Sequence, residues 1–297
     1  MGKKGKRSTK TGDGKPKQGP GKARRERAAA MKEINAGVEA LIERLESETK
    51  DMELYGPLIE QEDCPICFLP LPRLDAENMF MPCCGQLICA GCAHASALIS
   101  KKMKKKSVAC AFCRHETPKG QDDKAFVAQF RSRAEKNDLN AIRNLAKIYQ
   151  KGTYGLPKDE VLALRLNLRA AELGSLAAIV SLAIHFHFDN GDASRDSVTA
   201  MKLATIAAKK GDLESYFPVG CLYDDLGDVE TAAKCWIFAA RAGHSESMEL
   251  LRTYKVHGTD VVSDDDFEAI EEAYKEAAKE EWSEGREAYK AIMGGVD

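Results

Sequence analysis

Apolar positions divide the chain into stretches of different character. From residue 122 onward the sequence is rich in Ala and Leu and almost free of proline, a composition of helix formers. Further upstream, Ile34, Val38, Leu41, Ile42 and Leu45 fall at relative positions 0, 4, 7, 8 and 11, which is one stripe along a helix. That stripe predicts an amphipathic helix within 28–55, packed on the neighbouring domain or on a partner, with Gly56-Pro57 ending it. Near the other end, Ser263-Asp264-Asp265-Asp266 reads as a capping box opening one long acidic helix in 261–297. Its charged side is expected to be a solvated face that closes off the helical array.

Within 122–260 the helical pattern repeats. Ala170-Ala171-Glu172-Leu173-Gly174 recurs as Ala207-Ala208-Lys209-Lys210-Gly211 and as Ala239-Ala240-Arg241-Ala242-Gly243, at spacings of 37 and 32. The same spacings relate Asp159, Asp196 and Asp228, and then Ala163, Ala200 and Ala232, whereas Tyr149, Phe186 and Tyr223 recur at 37 and 37. The third unit is therefore shortened by five residues between Tyr223 and Asp228. Each recurring residue has a physical role: Asp caps a helix, the small residue admits a second backbone, the aromatic fills the wedge, and Gly takes a left-handed turn. Helix pairs of this kind bury their apolar faces only by stacking, which predicts an all-α solenoid of about three pairs over 137–254.

These residues resemble the SEL-one-like repeat, a relative of the tetratricopeptide repeat. Leu145, Tyr149, Gly152, Gly155, Asp159, Ala163 and Ala170-Ala171 fall where that pattern expects them. The second and third units depart from it, at Asn190-Gly191 and at Pro218, the latter inside an expected helix. The resemblance implies a scaffold that binds a protein partner and implies no catalysis.

Charge adds an asymmetry that the net value of −2 conceals. Residues 1–27 carry eleven Lys and Arg against two acids, with almost no apolar content, and are expected to be a disordered basic tail. Residues 260–297 carry thirteen acids against four bases. The tail, together with the run Lys101-Lys102-Met103-Lys104-Lys105-Lys106, makes nucleic acid a weak candidate partner. No run of 18 apolar residues occurs, so no membrane span is expected. With no apolar stretch after the basic N-terminus, the expected location is cytoplasmic or nuclear rather than secreted.

Cysteine placement changes the picture most. Eight of the ten cysteines lie within residues 64–113, as Cys64/Cys67, Cys83/Cys84, Cys89/Cys92 and Cys110/Cys113. In a reducing compartment such pairs point to metal rather than disulfides. Two residues between thiolates let both reach one ion, and eight thiolates make two four-coordinate zinc sites. Consecutive pairing would give two separate fingers. The four residues between Cys84 and Cys89 favour interleaving instead, with Cys64, Cys67, Cys89 and Cys92 on one ion and Cys83, Cys84, Cys110 and Cys113 on the other. His94 and His115 are the substitutes if Cys83 or Cys84 is free. Cys221 and Cys235 read as small buried thiols, and His185 and His187 as ordinary core or surface residues.

Cys64-Pro65-Ile66-Cys67, the run from Pro82 to Cys92 and the closing Cys110 to Arg114 resemble a RING-type zinc finger of the all-cysteine kind. Gln86 occupies the place of the usual ligand His, and Cys84 the place of the cysteine that replaces it. The resemblance implies a small zinc-stabilised α+β domain over 60–118, holding two zinc ions in a cross-brace. It further implies recruitment of a ubiquitin-conjugating enzyme, held so that its thioester is ready for attack, which is catalysis by positioning. By that match Ile66, Leu98 and Ile99 would contact the conjugating enzyme, and Arg114 would bridge enzyme and ubiquitin. The expected function is a ubiquitin-ligase-like adaptor whose repeats recruit a partner; the alternative is a non-catalytic zinc-containing interaction scaffold.

Overall fold

The computed structural model describes residues 20–72, 77–103, 107–118, 123–188, 196–257, 262–280 and 283–293. The chain opens with helix α1 (Pro20–Glu48), followed by a cysteine module of two short hairpins and one helix. In the module, β1 (Asn78–Met81) pairs antiparallel with β2 (Gln86–Cys89), α2 spans Ala90–Lys102, and β3 (Ser107–Ala109) pairs antiparallel with β4 (Glu116–Pro118). Ten helices follow: α3 (Asp123–Ala134), α4 (Leu139–Lys151), α5 (Glu160–Glu172), α6 (Leu176–Phe188), α7 (Ser197–Lys209), α8 (Leu213–Asp225), α9 (Val229–Arg241), α10 (Ser245–Val256), α11 (Asp264–Glu280) and α12 (Glu284–Met293).

Helices α4 to α10 form a stack of antiparallel neighbours, each packed on the next. The recurring residues do what their chemistry suggests. Asp159, Asp196 and Asp228 accept the amides of Leu162, Thr199 and Thr231 at 3.0, 3.0 and 3.1 Å, capping α5, α7 and α9. Their own amides donate to the carbonyls of Tyr149, Phe186 and Tyr223 at 2.9, 3.1 and 2.9 Å, so the short third loop keeps the same closure. Ala163, Ala200 and Ala232 are buried. Gly174, Gly211 and Gly243 all take positive φ (97°, 85° and 94°), ending their units in the left-handed turn.

Two expectations for the first 55 residues are corrected. The tail expected over 1–27 is helical from Pro20, and residues 1–19 lie outside the described residues. Proline suits a first helical turn, and a helix nucleated by its buried stripe extends at little cost into a polar flank. There Arg27 pairs with Glu160 at 2.7 Å. The helix also ends at Glu48, short of the 28–55 bound, and is followed by a turn at Thr49, whose amide and hydroxyl both donate to the Leu45 carbonyl at 2.9 Å. Pro218, the departure noted inside an expected helix, is accommodated there: α8 continues through it. Gly220, where a Cβ would lie 2.2 Å from Trp236 Nε1, seats that indole against the helix. The resulting burial offsets a proline cost of ~3 kcal/mol. The altered Asn190-Gly191 loop lies outside the described residues.

The stripe Ile34, Val38, Leu41, Ile42 and Leu45 is almost wholly buried. It lies across α5 and α7, the second helices of two successive pairs. Gly37 brings α1 close enough that a Cβ would sit 2.7 Å from Leu168 Cδ2. Ion pairs rim the seam, Glu33 to Arg165 at 2.8 Å and Glu48 to Lys210 at 2.7 Å, each contributing little on its own. Beyond α1 the chain stays on the stack. Tyr216 donates its hydroxyl to the Leu54 carbonyl, and Tyr55 stacks on the Tyr216 ring at 6.2 Å.

The acidic C-terminal helix is two helices. Residues 281–282 lie outside the described residues, and Ser283 caps α12 by accepting the Arg286 amide at 3.2 Å. Helix α11 covers α9 at the end of the stack, as a cap should. Helix α12 instead turns back onto α2 of the cysteine module. Among the described residues no helix is long and apolar enough to cross a membrane.

Candidate metal centre

Each hairpin and knuckle of the module presents sulfur. The first knuckle folds so that Phe68 N donates to Cys64 O at 2.9 Å and Cys64 N to Leu69 O at 2.8 Å. The last copies it, with Arg114 N to Cys110 O at 3.1 Å and Cys110 N to His115 O at 2.9 Å. In both, the residue after the second cysteine carries positive φ, 57° at Phe68 and 63° at Arg114. Non-glycine residues take that conformation at a cost, and here two backbone hydrogen bonds offset it. Between β1 and β2 the turn holds Cys83 and Cys84, closed by Gly85 N donating to Met81 O at 2.8 Å with Gly85 at φ 79°. Cys89 ends β2 and caps α2, its sulfur accepting the Cys92 amide at 3.4 Å.

Pairing β1 with β2 puts the sulfurs into two groups. Cys64, Cys67, Cys89 and Cys92 form one, and Cys83, Cys84, Cys110 and Cys113 the other, with all four sulfurs of a group within 4.8 Å of one another. The first and third pairs thus share one group and the second and fourth share the other. None of the ten cysteines is in a disulfide. Four thiolates around zinc at ~2.3 Å would lie ~3.8 Å apart. The Sγ separations are 3.9 Å for Cys67–Cys89, 3.9 Å for Cys84–Cys110 and 3.6 Å for Cys83–Cys113. Both clusters could therefore hold a metal ion.

Without a cation the thiols resist ionising together. Burial pushes Cys67, Cys83, Cys84 and Cys92 up, and neighbouring sulfurs push in the same direction. Burial also opposes ionisation of Cys64, but the amides of Cys89, Cys67 and Ile66 outweigh it and bring that thiol down to about 7. Four sulfurs arranged to accept amide hydrogens, yet too crowded to share negative charge, form a natural cation cage. The clusters differ in exposure: Cys64 and Cys89 are buried, whereas Cys113 is exposed.

The histidine substitutes stay outside the clusters. His94 lies on α2 with its ring 6.1 Å from that of Tyr289, and His115 is exposed. Ile66 is half-buried, and Leu98, Ile99 and Arg114 are exposed. Phe68 and Phe112, each next to a cluster cysteine in sequence, are exposed as well, at 77% and 43%. Lys101 and Lys102 close α2, while Lys104–Lys106 lie outside the described residues. In the stack, Cys235 is buried with its sulfur 3.6 Å from the Tyr55 hydroxyl, and burial raises Cys221 to about 11. His185 lies 3.9 Å from Glu160 and His187 3.4 Å from Asp225; neither joins a metal-binding group among the described residues.

Two arginines that linear spacing gives no reason to select hold the module from outside. Arg133 on α3 donates Nε to the Pro82 carbonyl at 2.6 Å, directly before Cys83. Arg286 on α12, 4% exposed, donates Nη2 to the Pro70 carbonyl at 2.7 Å and lies 3.9 Å from Cys67 Sγ. The available signal was glycine: Gly85 leaves room for the Arg133 guanidinium, and Gly91 for the backbone of α12.

Two of the helix pairs in the stack are Sel1 repeats. The Sel1 repeat model matches residues 139–175 and 176–212, which are the pairs α4–α5 and α6–α7. The chain is 28% identical over 130 residues to chitin synthase regulatory factor 4 of Schizosaccharomyces pombe, a match spanning 44% of this chain and 20% of that protein. The solved structures similar to it include a Sel1 repeat protein from Oxalobacter formigenes, at 22% identity, covering 63% of this chain and 71% of that one with a TM-score of 0.45. Another is c5321, a protective antigen of uropathogenic Escherichia coli, at 16% identity, covering 69% and 48% with a TM-score of 0.43.

Proposed function

We propose that this protein is a zinc-stabilised interaction scaffold, in which a RING-like module over 60–118 is fixed to one side of a Sel1 repeat array that binds a protein partner. The observation that carries the reading is the alternation of cysteine pairs between two four-sulfur clusters. Zinc suits them because it takes four thiolates tetrahedrally and adds no redox chemistry. The array supports the scaffold half, because Sel1 repeats generally mediate protein–protein interaction. The yeast relative's name, a regulatory factor of another enzyme, is in keeping with such a role. Intact thiols are in keeping with a reducing cytoplasm or nucleus. The reading is tested by measuring metal content under native conditions and by partner capture from a matched lysate. Two zinc equivalents per chain are expected, with capture lost when surface residues of α4, α6 and α8 are replaced. Fewer than two equivalents would end the zinc assignment, and capture indifferent to the array would end the scaffold role.

A second reading, transfer of ubiquitin, draws support from one observation. The module carries exposed Phe68, Ile99 and Phe112 and half-buried Ile66, with Arg114 exposed directly after Cys113. Such a surface could receive a conjugating enzyme and act by positioning alone. An autoubiquitination assay with a panel of conjugating enzymes decides it. Chains lost in Ile66→Ala and reduced in Arg114→Ala support transfer, and no chains with any enzyme reject it.

A further inference from the structure

The two sulfur clusters meet the rest of the molecule differently. At the first, α12 approaches the knuckle Cys89–Cys92 so closely that a Cβ on Gly91 would lie 2.7 Å from both the Arg286 amide nitrogen and the Gly285 carbonyl carbon. One turn further along α2, His94 faces Tyr289. That backbone-to-backbone contact carries the Arg286 guanidinium inward, onto the Pro70 carbonyl and alongside Cys67 Sγ. At the second cluster the arginine contact is to backbone. Arg133 reaches the Pro82 carbonyl, and its charge is met by Asp138 at 3.4 Å. Among the described residues its partners are that carbonyl and Asp138 rather than a sulfur, and Cys113 of that cluster is exposed.

A divalent ion in four thiolates leaves a net charge of about −2, and burying that charge is costly unless it is compensated nearby. We propose that Arg286 is the positioning residue of the first cluster: its guanidinium compensates the tetrathiolate charge, holds the Cys67 sulfur in place, and so fastens α12 to the module when that cluster is loaded. The inference rests on the reading that both clusters hold divalent metal. It makes the two sites unequal. The first, buried and charge-compensated, holds its ion slowly exchangeable. The second, with an exposed sulfur, releases its ion first. It also assigns α12 a role distinct from that of α11, since α11 caps the stack whether or not metal is present.

The test uses the full chain loaded with zinc and a chromogenic chelator. Wild type is expected to show two equivalents, released in a fast and a slow phase. Arg286→Met is expected to speed the slow phase by about tenfold or more, the scale typical of lost outer partners of a metal ligand, with the fast phase unchanged. Arg286→Lys, which keeps the charge, should recover part of the slow release. Gly91→Ala, which leaves the charge but pushes α12 away, should reproduce the acceleration. With cadmium-113 in place of zinc, Arg286→Met should move one of two resonances. Removal of the slowly released ion should raise amide exchange in α12 and leave α11 protected. Fewer than two equivalents in wild type would remove the metal reading, and this inference with it. Two equivalents with wild-type release from both Arg286→Met and Gly91→Ala, or both phases accelerated alike, would overturn the inference and leave the metal reading standing.

Discussion

The helical array and the cysteine module lie side by side and are held together by different means. The array buries Trp236, Tyr216, Ile142, Ile179, Leu182, Leu203 and Leu222 behind continuous rows of alanine. The module's own buried cluster consists of Leu71, Ile88 and Ala111 with two cysteines. At ~25 cal/mol per Å² of apolar surface, so small a cluster cannot offset the entropy of ordering its hairpins and knuckles. The array is ordered by its side chains; the module needs something its sequence alone does not supply. Helix packing tolerates many substitutions of similar volume, whereas the module depends on eight sulfurs.

That contrast can be broken at several points. The largest effect is expected from metal removal, since a structural zinc contributes ~10–16 kcal/mol. Chelation should abolish amide protection in β1–β4 while the far-UV helical signal of the array persists; a module that stays protected, or an array that melts with it, would erase the distinction. Next comes Trp236→Ala, which empties a fully buried site and is expected to cost ~3–5 kcal/mol by denaturant unfolding of the array, with metal content unchanged. Asp196→Ala removes a cap and should cost ~1 kcal/mol, again without touching the metal.

The smallest effect is a pH dependence confined to the array. His244 caps α10 by accepting the Ser247 amide at 3.1 Å. Burial, opposed by Glu246, holds the imidazole below its ordinary 6.5. The unfolded chain therefore takes up a proton that the folded chain refuses. The resulting stability is full above the ordinary value and is lost as pH falls below it. His244→Asn should flatten that acid-side decline, and an unchanged profile would reject the assignment.

The array was legible in the sequence because its determinants are local. Asp159, Asp196 and Asp228 cap the helices that begin beside them, and the α1 stripe announced its buried face by period alone. The alternation of cysteine pairs was legible too, since a four-residue link between Cys84 and Cys89 leaves the second and third pairs little choice but to face apart. What escaped was contact between distant segments. Residues 20–27 look too polar to order, but gain a helix from the stripe downstream. Pro218 departs from the repeat inside its helix, but is outweighed by packing contributed by α9. The long acidic helix was expected to face solvent, because nothing in its charge pattern says that Arg286 will be buried against Pro70. Linear periodicity records which face of a helix is apolar and is silent on where one buried cation goes.

The docking of α12 on the module joins Cys67 to Arg286 across 219 positions. Closing so long a loop comes late, because its entropy is lost before any contact repays it. During synthesis the thiols leave the ribosome well before α12 exists. A divalent ion, if the clusters take one as proposed, has that interval in which to enter before α12 closes over the knuckle Cys89–Cys92.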